Sequence, residues 1–194
     1  MSTPSIRSAA PADQRGVIDV ITLAFTTDPM ARWTLPDPQK YLAVMPEVVR
    51  RFGGSGFVHN SAYLVDGYGG AAMWLPPGVE PDAEGLVTLI QESVAPDILP
   101  EVLAVFEQMG GYHPHQPHWY LPLIGVDPAQ QNRGLGSALM RHALAVCDRD
   151  GSLAYLESSN PRNIPLYQRH GFESLGTIQV GSSPPVVPML RRPR

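Results

Sequence analysis

Gln131-Asn132-Arg133-Gly134-Leu135-Gly136 is the stretch that decides the fold. It follows an aromatic and aliphatic run at 118–126 that predicts a strand, and it precedes a helical pattern that extends to about residue 150. Glycines at the change from strand to helix let a ligand approach the backbone closely. The N–H groups of a helix's first turn have no partner within the helix, and the helix dipole favours negative charge there. The stretch therefore predicts an anion-binding turn, for which phosphate is the usual ligand.

Two common phosphate motifs do not fit this turn. A P-loop is excluded because no Gly-Lys-Ser/Thr follows. The dinucleotide fingerprint matches at Gly134 and Gly136, but Leu139 stands at the third glycine position. The pattern that remains, Gln-x-x-Gly-x-Gly after a strand, resembles the coenzyme A pyrophosphate site of the GCN5-related N-acetyltransferase (GNAT) superfamily. A helix that simply begins at a glycine would give the same six residues, so a second motif is needed.

That second motif lies between Asn160 and Phe172 and resembles the superfamily's Asn-x-x-Ala-x-x-x-Tyr-x-Lys-x-Gly-Phe segment. Asn160 and Tyr167 have the family spacing, whereas Asn163 and Arg169 replace the commonest alanine and lysine. Because both motifs occur in the family order, the sequence is identified as a member of the superfamily. Residues 113–121 and 155–167 further resemble puromycin N-acetyltransferase and its relatives, and the resemblance is weakest at 28–60.

The resemblance implies a mixed α/β fold, the GNAT fold, over a single N-acetyltransferase domain at 1–194. Its central sheet of about seven strands is mostly antiparallel, with a parallel β–α–β unit that binds acetyl-CoA and helices on both faces. Periodicity adds an inserted helical pair at about 81–109, which Gly110-Gly111 should end. A helix from Pro38 should be kinked or split by Pro46. Strands at 172–180 and about 186–190 should form an antiparallel pair.

Composition limits the classes of partner. A net charge of −4 argues against a general nucleic-acid or membrane-surface binder. Cys147 is the single cysteine, so neither a disulfide framework nor a thiolate metal cluster is expected. His113 and His115 without further ligands do not support a metal site. The chain has no secretory signal pattern and no apolar run of membrane-spanning length, so a cytoplasmic location is expected.

The resemblance also implies acetyl-CoA as co-substrate and a set of residues to bind it. The turn would bind the pyrophosphate through backbone N–H groups, and the strand before it would pair with pantetheine as an added strand does. The N–H of Val126 would then stabilise the oxyanion. The expected acetyl-CoA-binding residues are Ile124, Gly125, Val126, Gln131, Asn132, Arg133, Gly134, Leu135, Gly136, Ser137, Asn160, Asn163 and Tyr167. For Arg133 a solvated side chain, and for Asn160 a helix cap, are equally open interpretations.

Tyr167 has the family position of the general acid, because a protonated phenol can donate to a leaving thiolate. The general base is open. Tyr120 stands where histone-type members have a glutamate, so Glu157, His118, the histidines of the 112–117 connector or a water chain are the candidates. Glu157 ends a central strand, where a carboxylate needs a use or a partner. Asp28 either pairs with a cationic substrate or is a turn residue.

The sequence thus predicts transfer of an acetyl group to the amine of a small molecule, antibiotic-like or metabolic, by direct attack in a ternary complex. The alternatives are an acyl-CoA-binding sensor without turnover and a peptide or protein N-acetyltransferase. Neither nucleic acid nor membrane is an expected partner. The oligomeric state is open, with a homodimer as one option.

Overall fold

The computed structural model describes residues 4–194 and has one seven-stranded sheet in the order β1-β2-β3-β4-β5-β7-β6. Of its strand pairs, β4–β5 is parallel and the others are antiparallel, which confirms the predicted mixed, mostly antiparallel sheet. The strands are β1 (Ile6–Ser8), β2 (Ala62–Val65), β3 (Gly70–Leu75), β4 (His118–Val126), β5 (Leu153–Ser158), β6 (Glu173–Ser174) and β7 (Val187–Arg191).

Helices cover both faces of the sheet. Because side chains alternate along a strand, Ala71 and Met73 of β3 pack on one face against α1 and α3, whereas Ala72 and Trp74 pack on the other against α7. None of the helices in the described range is long and apolar enough to cross a bilayer. The helices are α1 (Gln14–Ala24), α2 (Pro29–Thr34), α3 (Pro38–Gly53), α4 (Ser55–Val58), α5 (Ala83–Ser93), α6 (Leu99–Tyr112), α7 (Leu135–Arg149) and α8 (Ile164–Arg169).

Pro46 does not split α3, so of the two predicted outcomes, a kink or a split, the split is wrong. An interior proline costs about 3 kcal/mol. The helix is capped by Asp37, and it buries a stripe that includes Met45 and Val49. Each such side chain contributes about 1.5–3 kcal/mol on burial, so the stripe outweighs the lost hydrogen bond.

Two further boundaries differ from prediction. Gly110-Gly111 does not end the inserted pair, because α6 continues to Tyr112, whose ring packs beside Val105 and Ile178. The strand predicted at 172–180 shrinks to Glu173–Ser174 and an isolated bridge between Ile178 and Val186. The Tyr112 ring lies directly against Gly176, which is between the short strand and the bridge.

The sheet opens where the pairing between β4 and β5 ends, and this opening leaves room for a site. Their parallel register runs from His118 opposite Leu153 to Leu121 opposite Leu156 and then stops. The next residue of β4 is Pro122, which has no N–H to donate to a ladder. On its other edge β4 stays paired with β3 as far as Val126. One edge of the second half of β4 is therefore left without a strand partner.

We expect Asp148→Asn to destabilise the fold by about 3 kcal/mol, because it removes the partner of a buried guanidinium. Arg191 donates from Nη1 and Nη2 to the two carboxylate oxygens of Asp148, both at 2.8 Å, and only 3% of Arg191 is exposed. Arg191 also lowers the pKa of Asp148, so this stabilisation is present above the ordinary carboxyl pKa and is lost as pH falls through the lowered one.

Urea unfolding at pH 7 and at pH 3 measures both effects. Asp150→Asn is the matched control, since Asp150 pairs with the exposed Arg149, and it should change the free energy of unfolding by at most about 0.5 kcal/mol. Equal effects of the two substitutions at pH 7 would contradict the assignment.

Candidate active site

The turn between β4 and α7 leaves a row of backbone N–H groups open. Asn132 has φ 62° and Gly134 has φ 79°, both in the left-handed region that asparagine and glycine tolerate best. Gly134 is the N-cap of α7 and supplies no side-chain hydrogen bond, so the N–H groups of Leu135, Gly136 and Ser137 lack a capping acceptor. The first turn of α7 can therefore bind an anion, because its N-cap residue offers these N–H groups no side-chain acceptor.

A groove runs from this turn along the end of β4 to α8. It brings together most of the residues predicted to bind the cofactor. Those on its wall are Ile124, Gly125, Val126, Gln131, Asn132, Gly134, Leu135, Gly136, Ser137, Asn160, Asn163 and Tyr167.

Arginines on the groove wall differ from those expected. Arg133 is exposed and does not line the groove, which fits the solvated interpretation of this residue. Arg162 and Arg169 do line it and were missed. Their signal was available, since both lie within the second motif and Arg169 stands at its lysine position.

The unpaired edge of β4 faces this groove. Asp127 donates its N–H to Gly69 on the β3 side. Because N–H groups alternate sides along a strand, those of Val126 and Ile124 point away from β3. The side chain of Gln131 reaches the carbonyl of Val126 at 3.4 Å and links the turn to this strand end.

Two of the groove side chains already have protein partners. The Ser137 hydroxyl lies 2.8 Å from Nε2 of His170 and accepts from Arg141 at 3.0 Å, so its backbone N–H is the group left for a ligand. Burial and then nearby arginines lower the pKa of His170, which favours the neutral ring. Asn160 accepts from the N–H of Arg162 at 3.1 Å, which is the helix-cap role. Its expected contact with pantetheine remains a prediction.

An apolar pocket of about 1100 Å³, including its open mouth, adjoins the groove. The inserted helices α5 and α6 supply one wall, through side chains such as Ile90, Val105 and Phe106, and α3 supplies another. Asp28 and Glu157 are the two carboxylates on its surface. The pocket is thus suited to a largely apolar molecule with a polar or cationic group at one end.

The groove and the pocket meet at a common wall. Five residues line both: Phe25, Asp28, Ile124, Asn163 and Tyr167. Tyr167 is buried, and burial followed by the nearby charge of Asp28 raises the pKa of its phenol, which therefore stays protonated at neutral pH. Asp28 caps α2 by accepting from the N–H of Ala31 at 3.0 Å, and it accepts from the Ser159 hydroxyl at 2.7 Å. Desolvation raises the pKa of Asp28.

Glu157 projects from β5 into the wall of the pocket, and its side chain is 3% exposed. Its Oε1 lies 3.2 Å from Nε2 of His113, at the C-terminal end of α6. The phenols of Tyr120 and Tyr155 also face it; burial first, and the charge of Glu157 second, raise the pKa of both. Sequence reasoning named Glu157 and the histidines as separate candidates and did not foresee this contact.

The comparisons with known proteins agree with this geometry. Residues 102–172 match the model of the acetyltransferase (GNAT) family. An N-acetyltransferase of Schizosaccharomyces pombe, described as uncharacterized, is 33% identical over 78 residues, covering 39% of this chain and 32% of that protein. A mycothiol acetyltransferase of Mycolicibacterium gilvum is 38% identical over 63 residues, covering 28% and 21%. The chain thus spans about a third or less of the length of these curated relatives.

Solved structures resemble the chain over its full length. A crystal structure described as histone acetyltransferase HPA2 and related acetyltransferase, from Corynebacterium glutamicum, has a TM-score of 0.70 and 25% identity, covering 100% of this chain and 98% of that one. Arylalkylamine N-acetyltransferase 2 of Aedes aegypti has a TM-score of 0.69 at 10% identity, covering 100% of both chains, and shares the fold. Over residues 102–172 this chain matches the GNAT acetyltransferase family, and along its full length it has the fold of solved acetyltransferases.

Replacement by alanine should change the stability of the protein differently at the two glycines, Gly134 and Gly136. Gly134→Ala is expected to destabilise the protein by about 1–2 kcal/mol, because φ 79° is strained for any Cβ even though nothing lies within 4 Å. Gly136→Ala should be neutral or stabilising by up to about 1 kcal/mol, because Gly136 is helical and its Cβ would meet Leu166 at 3.4 Å, an ordinary contact. Thermal and urea unfolding of both variants measures the difference, and the reverse order would contradict the backbone assignment.

Proposed function

We propose that the protein is an acetyl-CoA-dependent N-acetyltransferase that acts on a small amine with an apolar body. The observation that carries the proposal is the position of Tyr167, whose buried phenol lies where the phosphate-binding groove meets the apolar pocket. A protonated acid at that junction is placed between the two molecules that an acetyl transfer must bring together.

The groove residues fit acetyl-CoA, which supplies the acetyl group as a thioester. The N–H groups of 134–137 would bind the pyrophosphate, as helix N-termini bind phosphates generally. Arg162 and Arg169 would add charge-assisted contacts to its phosphates. The outward N–H groups of Ile124 and Val126 would pair with the amides of the pantetheine arm in the manner of an added strand.

The chemistry requires no covalent enzyme intermediate. A neutral amine in the pocket attacks the thioester carbonyl, and the N–H of Val126 stabilises the oxyanion that forms. As the C–S bond breaks, Tyr167 gives its proton to the leaving thiolate. The attacking nitrogen then loses its second proton, which restores the Tyr167 phenol. The first proton, lost when the ammonium became the neutral amine, leaves the site, so one net proton is released for each amide formed.

The pocket supports a small-molecule acceptor. Its aliphatic and aromatic wall would stabilise an apolar substrate body by about 25 cal/mol per Å² of surface removed from water. Asp28, at the end nearest Tyr167, is placed to attract the ammonium form of the amine. The inserted α5 and α6 close the side along which an extended peptide would need to lie, which favours a small molecule over a protein terminus.

Tyr167→Phe should lower kcat by about 10²–10⁴-fold while the KM for acetyl-CoA changes little, because it removes a proton donor and keeps the ring. Release of free thiol from acetyl-CoA with a panel of apolar primary amines measures this. Cys147 adds no background with thiol reagents, since it is fully buried and burial raises its pKa to about 12. Because the pKa of Tyr167 is raised, the wild-type rate should not fall between pH 7 and pH 9 through loss of this acid.

Tyr63→Phe is the matched control, because Tyr63 is a buried tyrosine on the α7 face of the sheet that lines neither compartment. Full activity of Tyr167→Phe across pH would remove the general-acid role. Tight coenzyme A binding by the wild type without turnover on any amine would instead favour the sensor.

Arg169→Ala and Arg162→Ala should each raise the KM for acetyl-CoA by about 5-fold at low salt and leave kcat unchanged, because each removes one exposed contact to a phosphate. The effect should shrink at high ionic strength. Arg149→Ala, an exposed arginine at the far end of α7, changes the net charge equally and serves as the control. An equal rise in KM for Arg149→Ala would show that only net charge matters.

A further inference from the structure

Glu157, His113 and His118 form an array in series from the apolar pocket toward the surface. Oε1 of Glu157 lies 3.2 Å from Nε2 of His113, and among the described residues this buried oxygen has no hydrogen-bond partner. Nδ1 of His113 lies 3.3 Å from Nε2 of His118, and Nδ1 of His118 lies 2.9 Å from the carbonyl oxygen of Gln116. Exposure rises along the array, from 3% for the Glu157 side chain to 27% for that of His113.

Counting protons shows that the array lacks one in its neutral state. The Gln116 carbonyl has no hydrogen, so His118 must carry its proton on Nδ1 and present a lone pair at Nε2. His113 then fills the second gap with its own Nδ1–H. Two neutral imidazoles have no further proton, so the Nε2 lone pair of His113 faces the Glu157 carboxylate oxygen. Three gaps need three protons, and the missing one belongs between Glu157 and His113.

The surroundings favour proton transfer along this array and not out of it. The His113 ring lies 4.6 Å from the Tyr120 ring and 4.5 Å from the Tyr155 ring, centroid to centroid, which fixes its orientation. The other ionisable groups nearby are Tyr112 and Glu80, which face Tyr155 and Tyr120 respectively. Burial raises the pKa of Tyr120 and Tyr155, so their phenols keep their protons at neutral pH. The carboxylate and the two imidazoles are the groups left to exchange one.

We propose that Glu157 is the general base for the acceptor amine and that His113 and His118 relay its proton to solvent. The inference rests on the proposed acetyl transfer. An N–H bond of the ammonium substrate breaks as an O–H bond forms on Glu157. That proton moves to Nε2 of His113 while the Nδ1 proton of His113 moves to Nε2 of His118, and Nδ1 of His118 releases its proton to water. Proton exchange with solvent then restores the starting tautomers of both rings. One proton enters and one leaves per turnover, which matches the net stoichiometry of the transfer.

The test is chemical rescue of His113→Ala. This variant should lose about 10²-fold in kcat/KM for the amine and recover at least a tenth of the wild-type value with added imidazole, which can enter the vacated space from the partly exposed side. Glu157→Gln should lose a similar factor without rescue, because the proton acceptor itself is missing. The double variant His113→Ala/Glu157→Gln should be no slower than Glu157→Gln alone, because two residues that act in the same proton-transfer pathway have non-additive effects. His59→Ala, an exposed histidine far along the chain, should match the wild type.

Two results would overturn the relay: His113→Ala within twofold of the wild type, or a folded, coenzyme A-binding His113→Ala that imidazole does not rescue. Nitrogen NMR of the histidines tests the array even without turnover. It should show Nδ1–H on both His113 and His118 in the neutral state, and Nε2–H on His118 would contradict the proton count. A wild type that releases no thiol with any amine would count against the proposed function, while these tautomers would still decide the array.

Discussion

The structure depends on the place where β4 and β5 stop pairing. Up to Leu121 and Leu156 the two strands hydrogen-bond, and Pro122 then removes the next donor. Backbone groups that lose a partner in a protein interior are costly unless something else binds them. The unpaired edge of β4 therefore leaves backbone N–H and C=O groups without strand partners. In the proposed complex, the amides of a bound ligand would pair with these groups. The second half of β4 stays in the sheet because β3 pairs with its other edge as far as Val126.

Two compartments of different character meet at this opening. The groove is polar, built from backbone N–H groups at the start of α7 and from arginines, and it has the features that any coenzyme A derivative requires. The pocket is apolar and is closed by α5 and α6, which lie outside the β–α–β unit. In the proposed function, recognition of the common co-substrate and selection of the acceptor therefore belong to separate parts of the chain, with Tyr167 between them.

The sequence predicts most of the groove wall because two short segments, 118–137 and 160–169, supply it and short-range patterns describe each of them. What the sequence did not reveal depends on contacts between distant segments. The approach of His113 to Glu157 joins the end of α6 to β5, and the Tyr112 ring of the same helix lies against Gly176, after the short β6. The continuity of α3 through Pro46 likewise depends on packing against other elements, which the helix sequence alone does not show.

The continuation of α6 through Gly110-Gly111 has a consequence for how the pocket of this chain can change. The same rigid helix carries Val105 and Phe106 in the pocket wall and ends at His113. A substitution that reshapes the wall for a new substrate therefore also shifts the ring that faces Glu157. Under the proposed function, acceptor choice and proton transfer are therefore mechanically linked, and new specificities arise mainly through changes that leave the axis of α6 in place.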